Sequence, residues 1–274
     1  MQNSLTILGS GSSAGTPVVG CKCSTCLSDN PRNKRTRCSS MVTLKNGKNI
    51  LIDTSPDLRE QSLRESIVSV DAVLFTHAHA DHCHGIDDLR AFCQINQIQI
   101  PLYGNKYVME QLVEKFKYAM IEPKNFWEIP VLKPNIVDGP FKVFEETITP
   151  IPVMHGKSQI NGYRIGNLAY ITDTSEISEN SMKLLEGIDV LLIDCLRMEP
   201  HFTHLSLPES INITHQQKKL DEKDLMYYRD RFDVPLTDQQ VKNVEYYKPS
   251  DSSPEIKYLK AVSYTHLRAH ETRE

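Results

Sequence analysis

The stretch Phe75–Gly85, FTHAHADHCHG, sets four histidines and an aspartate within eleven residues, directly after the apolar run DAVLF (71–75). His77 and His79 stand two apart, so on an extended segment both rings project to the same side. Asp81 and His82 follow where the chain turns, and GIDDLRAF (85–92) has the pattern of a helix leaving that turn. Two ligands on one side and two a step further on suit a pair of adjacent metal ions. The spacing is not the helical i, i+4 pair of an H-E-x-x-H site.

Working outward, short apolar runs read as strands at 5–9, 41–45, 49–53, 72–76, 100–104, 141–145, 147–153, 163–166, 168–173 and 189–194. Helices are expected at 57–66, 86–93, 105–118 and 178–186. Many strands with interspersed helices, several strands closing on a polar residue, predict a layered α/β domain with its site at the strand ends. Two such closing residues are His155, after TPIPVM, and Asp173, at the end of LAYITD. A histidine like His155 standing alone is ordinarily a surface or satisfied core residue; beside the cluster at 77–82 it reads as a ligand. A carboxylate at Asp173 can bridge two cations and offset their repulsion. Asp53, closing NILID, reads equally well as a carboxylate orienting a ligand histidine or as a turn aspartate.

Cys21, Cys23 and Cys26 form C-x-C-x2-C in a loop rich in Gly, Pro and Ser. Three thiols so close point to a soft metal, and zinc takes four ligands. Cys38, Cys83, Cys93 and Cys195 sit in or beside apolar segments and read as small core residues. The net charge of −4 argues against a general nucleic-acid binder. No apolar run approaches the roughly 20 residues that span a bilayer. The start, MQNSLTILGSGSS, lacks the layout of a signal peptide, so a cytoplasmic protein with no membrane partner is expected.

THAHADHCHG resembles the H-x-H-x-D-H signature of the metallo-β-lactamase superfamily, with His155 and Asp173 where its third and fourth motifs belong. LGSGSSAGTPVVGCKCSTC, NKRTRCSS and LIDTSPDLR resemble its PhnP branch, over about residues 3–211. The resemblance implies an αββα sandwich with a dinuclear site. His77, His79 and His155 would hold one metal, Asp81 and His82 the second, and Asp173 would bridge them. Either manganese or zinc suits mixed imidazole and carboxylate ligands. Two adjacent cations bring the pKa of a shared water from 15.7 towards about 7, giving the nucleophile for phosphodiester hydrolysis. A small cyclic phosphate is the expected substrate. His204 aligns with the family's proton donor to the leaving alkoxide, with His201 its local competitor. The cysteine trio would hold a structural zinc, and a homodimer is implied. Other readings are an RNase Z-like tRNA 3′ endonuclease, a non-catalytic PqqB-like metal-binding protein and an inactive chimeric product.

The family pattern should continue past Ser206 with a helix, a strand and a T-H-x-x-H-like motif, which complete the second metal and the cysteine zinc. It does not follow here. From Asn212 there are 11 Lys/Arg and 11 Asp/Glu in 63 residues, against 20 and 24 in the first 211. Residues 212–261 resemble a piece of the pyruvate dehydrogenase decarboxylating component, with a helix expected at about 214–231, and 262–274 resemble a translated sequencing adapter. The expected organisation is a hydrolase domain at 1–211, incomplete at its C-terminal end, an unrelated fragment at 212–261 and an artefactual tail at 262–274. The second cation should then bind weakly and the structural zinc lack a ligand. His215, in THQQ, lies too soon after His204 to be the missing residue, and His266 and His270 lie in the tail.

Overall fold

The computed structural model of the chain describes residues 3–120, 131–217, 222–231, 234–243, 249–254 and 256–257. It divides into two compact units, one of residues 1–194 with 202–204 and one of 195–201 with 205–274.

The first unit carries two sheets. Six strands, β1 (Ser4–Gly9), β2 (Ser39–Thr43), β3 (Asn49–Ile52), β4 (Ala72–Leu74), β5 (Ile100–Gly104) and β6 (Leu132–Ile136), lie side by side in chain order. The second sheet is built from β7 (Phe141–Val143), β8 (Glu146–His155), β9 (Ser158–Ile165), β10 (Leu168–Ile171) and β11 (Val190–Ile193), in reverse order from β11 to β7. β3, β4, β5 and β6 run parallel, as do β10 and β11.

Side-chain alternation creates three layers of core. Ile50, Ile52, Ala72 and Leu74 face Ile148, Tyr163, Ile165 and Tyr170 between the sheets. Leu51 and Val73 point the other way, against Leu58 of α1 (Leu58–Arg64), Phe92 of α3 (Leu89–Asn96) and Leu112 of α4 (Lys106–Lys115). Ile151, Val153, Ala169 and Ile171 pack against Leu185 and Met182, the latter on α6 (Glu179–Lys183). This is an αββα sandwich. Strands buried on both faces read as continuous apolar runs, which is why NILI and AVL carry no polar alternation. Each fully buried aliphatic side chain stabilises by roughly 1.5–3 kcal/mol, against about 0–1 for an exposed ion pair. The buried layers, rather than the exposed ion pairs, therefore do most to hold the strand ends in register.

The differences from the sequence reading have local causes. β6 was not expected, because Lys133, Pro134 and Asn135 break its apolar pattern; an edge strand tolerates a proline that an interior one does not. β8 holds Pro150 and Pro152, beyond the short pairing with β7 that ends at Ile148. The helix expected over 105–118 stops at Phe116, whose φ of −120° leaves the helical region, and resumes as α5 (Lys117–Met120). The helix expected at 86–93 opens with a 3-10 turn over Ile86–Asp88. A further short helix, α2 (Ala80–Cys83), holds Asp81 and His82.

The second unit is helical: α7 (Leu207–Gln217), α8 (Glu222–Arg231) and α9 (Asp238–Lys242). Of the helix expected at 214–231, α7 covers the start and α8 the end, with 218–221 outside the described residues; α7 begins earlier and runs through residue 211 without a break. Arg229 on α8 pairs with Asp238 on α9, which Thr237 opens with a capping box. Residues 262–274, with His266 and His270, and the side chain of His215 lie outside the described residues. No helix among the described residues is long and apolar enough to cross a membrane.

Candidate metal centre

The chain leaves β4 through Thr76, His77, Ala78 and His79 before α2 turns it back. Asp53 stands just beyond β3, the parallel neighbour of β4, at a φ of 59°. Aspartate tolerates this left-handed conformation better than most residues, and it aims the fully buried carboxylate at the loop. Its Oδ1 accepts the Thr76 N–H at 2.8 Å, and its Oδ2 accepts the Thr76 hydroxyl and His82 Nδ1, both at 2.7 Å. Gly85 closes the loop against Ser55: a Cβ there would fall 1.9 Å from the Ser55 carbonyl oxygen, so the approach admits only glycine.

Each ring of the cluster is tied on its outer nitrogen or faces a neighbouring donor. His77 Nδ1 lies 2.9 Å from the Thr76 hydroxyl, and its Nε2 lies 3.0 Å from His79 Nδ1. His155, at the end of β8, donates from Nδ1 to the Thr203 carbonyl at 2.9 Å. The His155 ring centroid is 5.4 Å from that of His77 and 5.2 Å from that of His79. Asp173 follows β10 at a φ of 50° and sets Oδ2 at 3.2 Å from His82 Nε2 and 3.6 Å from His77 Nε2. Asp81 Oδ2 lies 3.4 Å from the same His82 nitrogen. His84, the fourth histidine of the opening stretch, packs edge-on against Phe116 instead.

The electrostatics follow from burial and crowding. Burial, then the His82 charge, hold His77 well below the ordinary imidazole value, so its ring is neutral. Burial alone would raise Asp173, but His82, His77 and His204 outweigh it and hold the carboxyl well below the usual range. Burial alone would lower His82, yet Asp173 and Asp53 hold it well above.

The donor set fits metal ions. His82 Nε2 is buried and has no hydrogen-bond partner, although two carboxylate oxygens stand beside it. Its Nδ1 proton is committed to Asp53, so Nε2 faces those oxygens with a lone pair unless a proton or a cation lies between. Donor atoms of His77, His79 and His155 lie within 4.8 Å of one another, as do those of His77, His82 and Asp173 and those of His155, Asp173 and His204. His204, and not His201, is the histidine of its segment that joins such a group among the described residues.

Two features had gone unread in the sequence. Asp194, just beyond β11, accepts the Thr174 N–H at 3.0 Å and His204 Nδ1 at 2.9 Å on one oxygen. The signal was available, since L-I-D closes both NILID and DVLLID. The Thr76 hydroxyl between Asp53 and His77 is the other, with no signal beyond its position.

The three cysteines converge separately. The sulfurs of Cys21, Cys23 and Cys26 lie within 4.8 Å of one another, and no fourth His, Cys, Asp or Glu joins them among the described residues. The Val18 and Cys26 N–H groups point at Cys26 Sγ and Cys23 Sγ at 3.3 and 3.4 Å. Burial foremost pushes the Cys26 thiol up to about 11, so a metal must displace its proton.

A family profile described as "Beta-lactamase superfamily domain" matches residues 48–220, more than half of the chain. The chain belongs to the β-lactamase superfamily. Among solved superfamily structures, one described as a new diphosphatase from the PhnP family is 41% identical, with a TM-score of 0.72, over 80% of this chain and 84% of that one. An octanoyltransferase of Porphyromonas gingivalis is 38% identical over 213 residues, 77% of this chain and 43% of that protein. Coenzyme PQQ synthesis protein B of Methylorubrum populi is 28% identical over 223 residues, 69% of this chain and 72% of that one. A segment of 51 residues is 47% identical to the pyruvate dehydrogenase E1 component of Haemophilus influenzae, 19% of this chain and 6% of that protein. The chain thus spans less than half of the Porphyromonas protein and a small part of the Haemophilus one.

Proposed function

We propose that this superfamily member is a metal-dependent hydrolase of a small phosphate ester, with a cyclic or open phosphodiester as its substrate class. The observation that carries the reading is His82 Nε2, buried without a hydrogen bond beside two carboxylates. Around it the His77–His79–His155 and His77–His82–Asp173 groups share a residue, so the cation positions they form are adjacent.

His77, His79 and His155 would hold one divalent cation, manganese or zinc, and Asp81 and His82 a second, with Asp173 facing both. Such ions supply Lewis acidity, acidifying water and neutralising phosphoryl oxygens during in-line displacement. The chain's own groups prepare for them. Asp53 and Thr76 fix which nitrogen of His82 and His77 carries the proton, leaving lone pairs inward. The left-handed turns at Asp53 and Asp173 bring carboxylates from the ends of two sheets to the two nitrogens of the His82 ring.

The cysteine trio would hold a structural zinc. The octanoyl transfer named for the Porphyromonas protein is not carried over, because the match occupies 43% of that protein. The fragment similar to pyruvate dehydrogenase E1 is assigned no activity, since it corresponds to 6% of that enzyme. A second reading, cleavage of a diphosphate, is favoured by the description of the 41%-identical structure.

The test is turnover of bis-p-nitrophenyl phosphate, of a nucleoside diphosphate and of a precursor tRNA by protein reconstituted with Mn2+ or Zn2+. The reading predicts hydrolysis of the diester, lost with chelator and restored by metal. Release of phosphate from the diphosphate alone selects the second reading. Cleavage of the tRNA alone would identify a tRNA 3′ endonuclease, and no turnover of any of the three would leave a non-catalytic metal-binding protein or an inactive product.

A further inference from the structure

We infer that Tyr163 is a positioning residue for the reaction, holding the His77–His79 loop at a set distance from His155 and Asp173; this rests on the metal-centre reading above. The ligands of that centre come from two sheets. His77, His79, Asp81 and His82 follow β4 of the first, while His155 ends β8 and Asp173 follows β10 of the second. Imidazole and carboxylate bonds to zinc of about 2.0–2.2 Å leave two donors on one ion no more than about 4.4 Å apart. The groups drawn from both sheets have their donor atoms within 4.8 Å. The separation of the sheets at this end must therefore be right to about half an ångström, and apolar packing, which has no direction, does not set it alone.

Two hydrogen bonds cross between the sheets at this point. The Tyr163 hydroxyl donates to the Phe75 carbonyl at 2.6 Å, and the Asn161 N–H donates to the Thr76 carbonyl at 3.2 Å. Phe75 and Thr76 are the two residues between β4 and His77. Their own N–H groups go to the first sheet's side, that of Phe75 to the Tyr103 carbonyl on β5 and that of Thr76 to Asp53. The approach to His77 is thus held through its donors by one sheet and through its acceptors by the other.

The place of Tyr163 on β9 makes the tie count for both ligands of the second sheet. Tyr163 pairs with Pro150 of β8 on one side and with Tyr170 of β10 on the other. Both neighbours are antiparallel to β9, so they carry His155 and Asp173 to the same end. One side chain therefore references both residues to the loop that holds His77 and His79. Tyr163 is fully buried in the layer of Ile148, Ile165 and Leu74. A phenylalanine fills that space but leaves the Phe75 carbonyl without the phenol proton.

The test is titration of chelated full-length Tyr163→Phe with Co2+, followed by visible absorption and calorimetry, with Ile165→Val as a packing control from the same layer. Tyr163→Phe is expected to weaken the His/Asp-bound ions about 10-fold or more and to change their visible bands. The thiolate charge-transfer bands of Co2+ at the cysteines should stay as they are. Ile165→Val is expected to lower the melting temperature and to leave both sets of bands unchanged. Affinities and bands in folded Tyr163→Phe that match the unmodified protein would make Tyr163 a core residue only. The inference would then fail while the metal-centre reading stood. Where circular dichroism shows the variant unfolded, amide exchange in the chelated unmodified protein decides. An Asn161 N–H as protected as those of the strand interiors supports the tie, and one that exchanges as fast as a loop amide overturns it. No Co2+ at the histidines of the unmodified protein would overturn both readings.

Discussion

His77, His82, His155 and His204 each turn one ring nitrogen outward to a hydroxyl, a carboxylate or a carbonyl, and the other inward. A ring so tied has one tautomer and one orientation, which lowers the cost of ordering it around a cation. Asp53 shows the consequence most cleanly, because its buried carboxylate serves His82 and Thr76 together. Asp53→Asn suits the left-handed backbone but presents an amide where a carboxylate stood. Metal affinity at His82 is expected to fall about 10–100-fold, read by competition against a metal-sensitive dye, with the melting temperature of the chelated protein changing little by comparison. His77, His79, Asp81 and His82 stood out in the sequence by their spacing within one short stretch, and His155 and Asp173 because each closes an apolar run in a chain that carries that cluster. Asp194 was less visible: it becomes legible only when β11 is seen to repeat the arrangement of β3.

At the scale of elements, the sequence showed the apolar strands and hid whatever lacked an alternating pattern. β6 escaped through Pro134, and the division of the helix after α4 has no marker in KFKYAM (115–120). The loop between β1 and β2 is likewise irregular, and an ion pair ties its end to the start of α1. Arg37 reaches Asp57, just before α1, with Nε at 2.9 Å from Oδ2 and a terminal nitrogen at 2.5 Å from Oδ1. The Arg37 hydrogen bonds hold the Asp57 carboxyl below its ordinary value of 3.8, against the opposing effect of burial. A carboxyl with a depressed folded pKa contributes stability that is fully present above the unfolded value and is lost as pH falls through the folded one. The melting temperature of Asp57→Asn is therefore expected to lie below that of the unmodified protein at neutral pH. The gap should persist down to about pH 4 and close as pH falls further below the ordinary 3.8. A gap that stayed constant through that range would mean that the pair contributes through packing alone.

For the whole molecule, a layered α/β domain was legible in the alternating apolar strands and helices, while the αββα order came from the resemblance of the histidine stretch to a known superfamily. The fate of the chain beyond Ile211 was less so. Its composition changes there, yet α7 passes through the residue as a continuous helix, since backbone hydrogen bonding does not depend on where similarity to a relative ends. The centre itself draws on β3, β4, β8 and β10, so strands of both sheets must be in place before it exists. Metal binding and folding of the first unit should accordingly be linked. The decisive measurement is an anomalous-scattering map at the manganese edge from crystals grown with Mn2+. Peaks between His77, His79 and His155 and beside Asp81, His82 and Asp173 are predicted. Ordered side chains in the same positions with no anomalous density among them would contradict the proposal that this cluster is a metal centre.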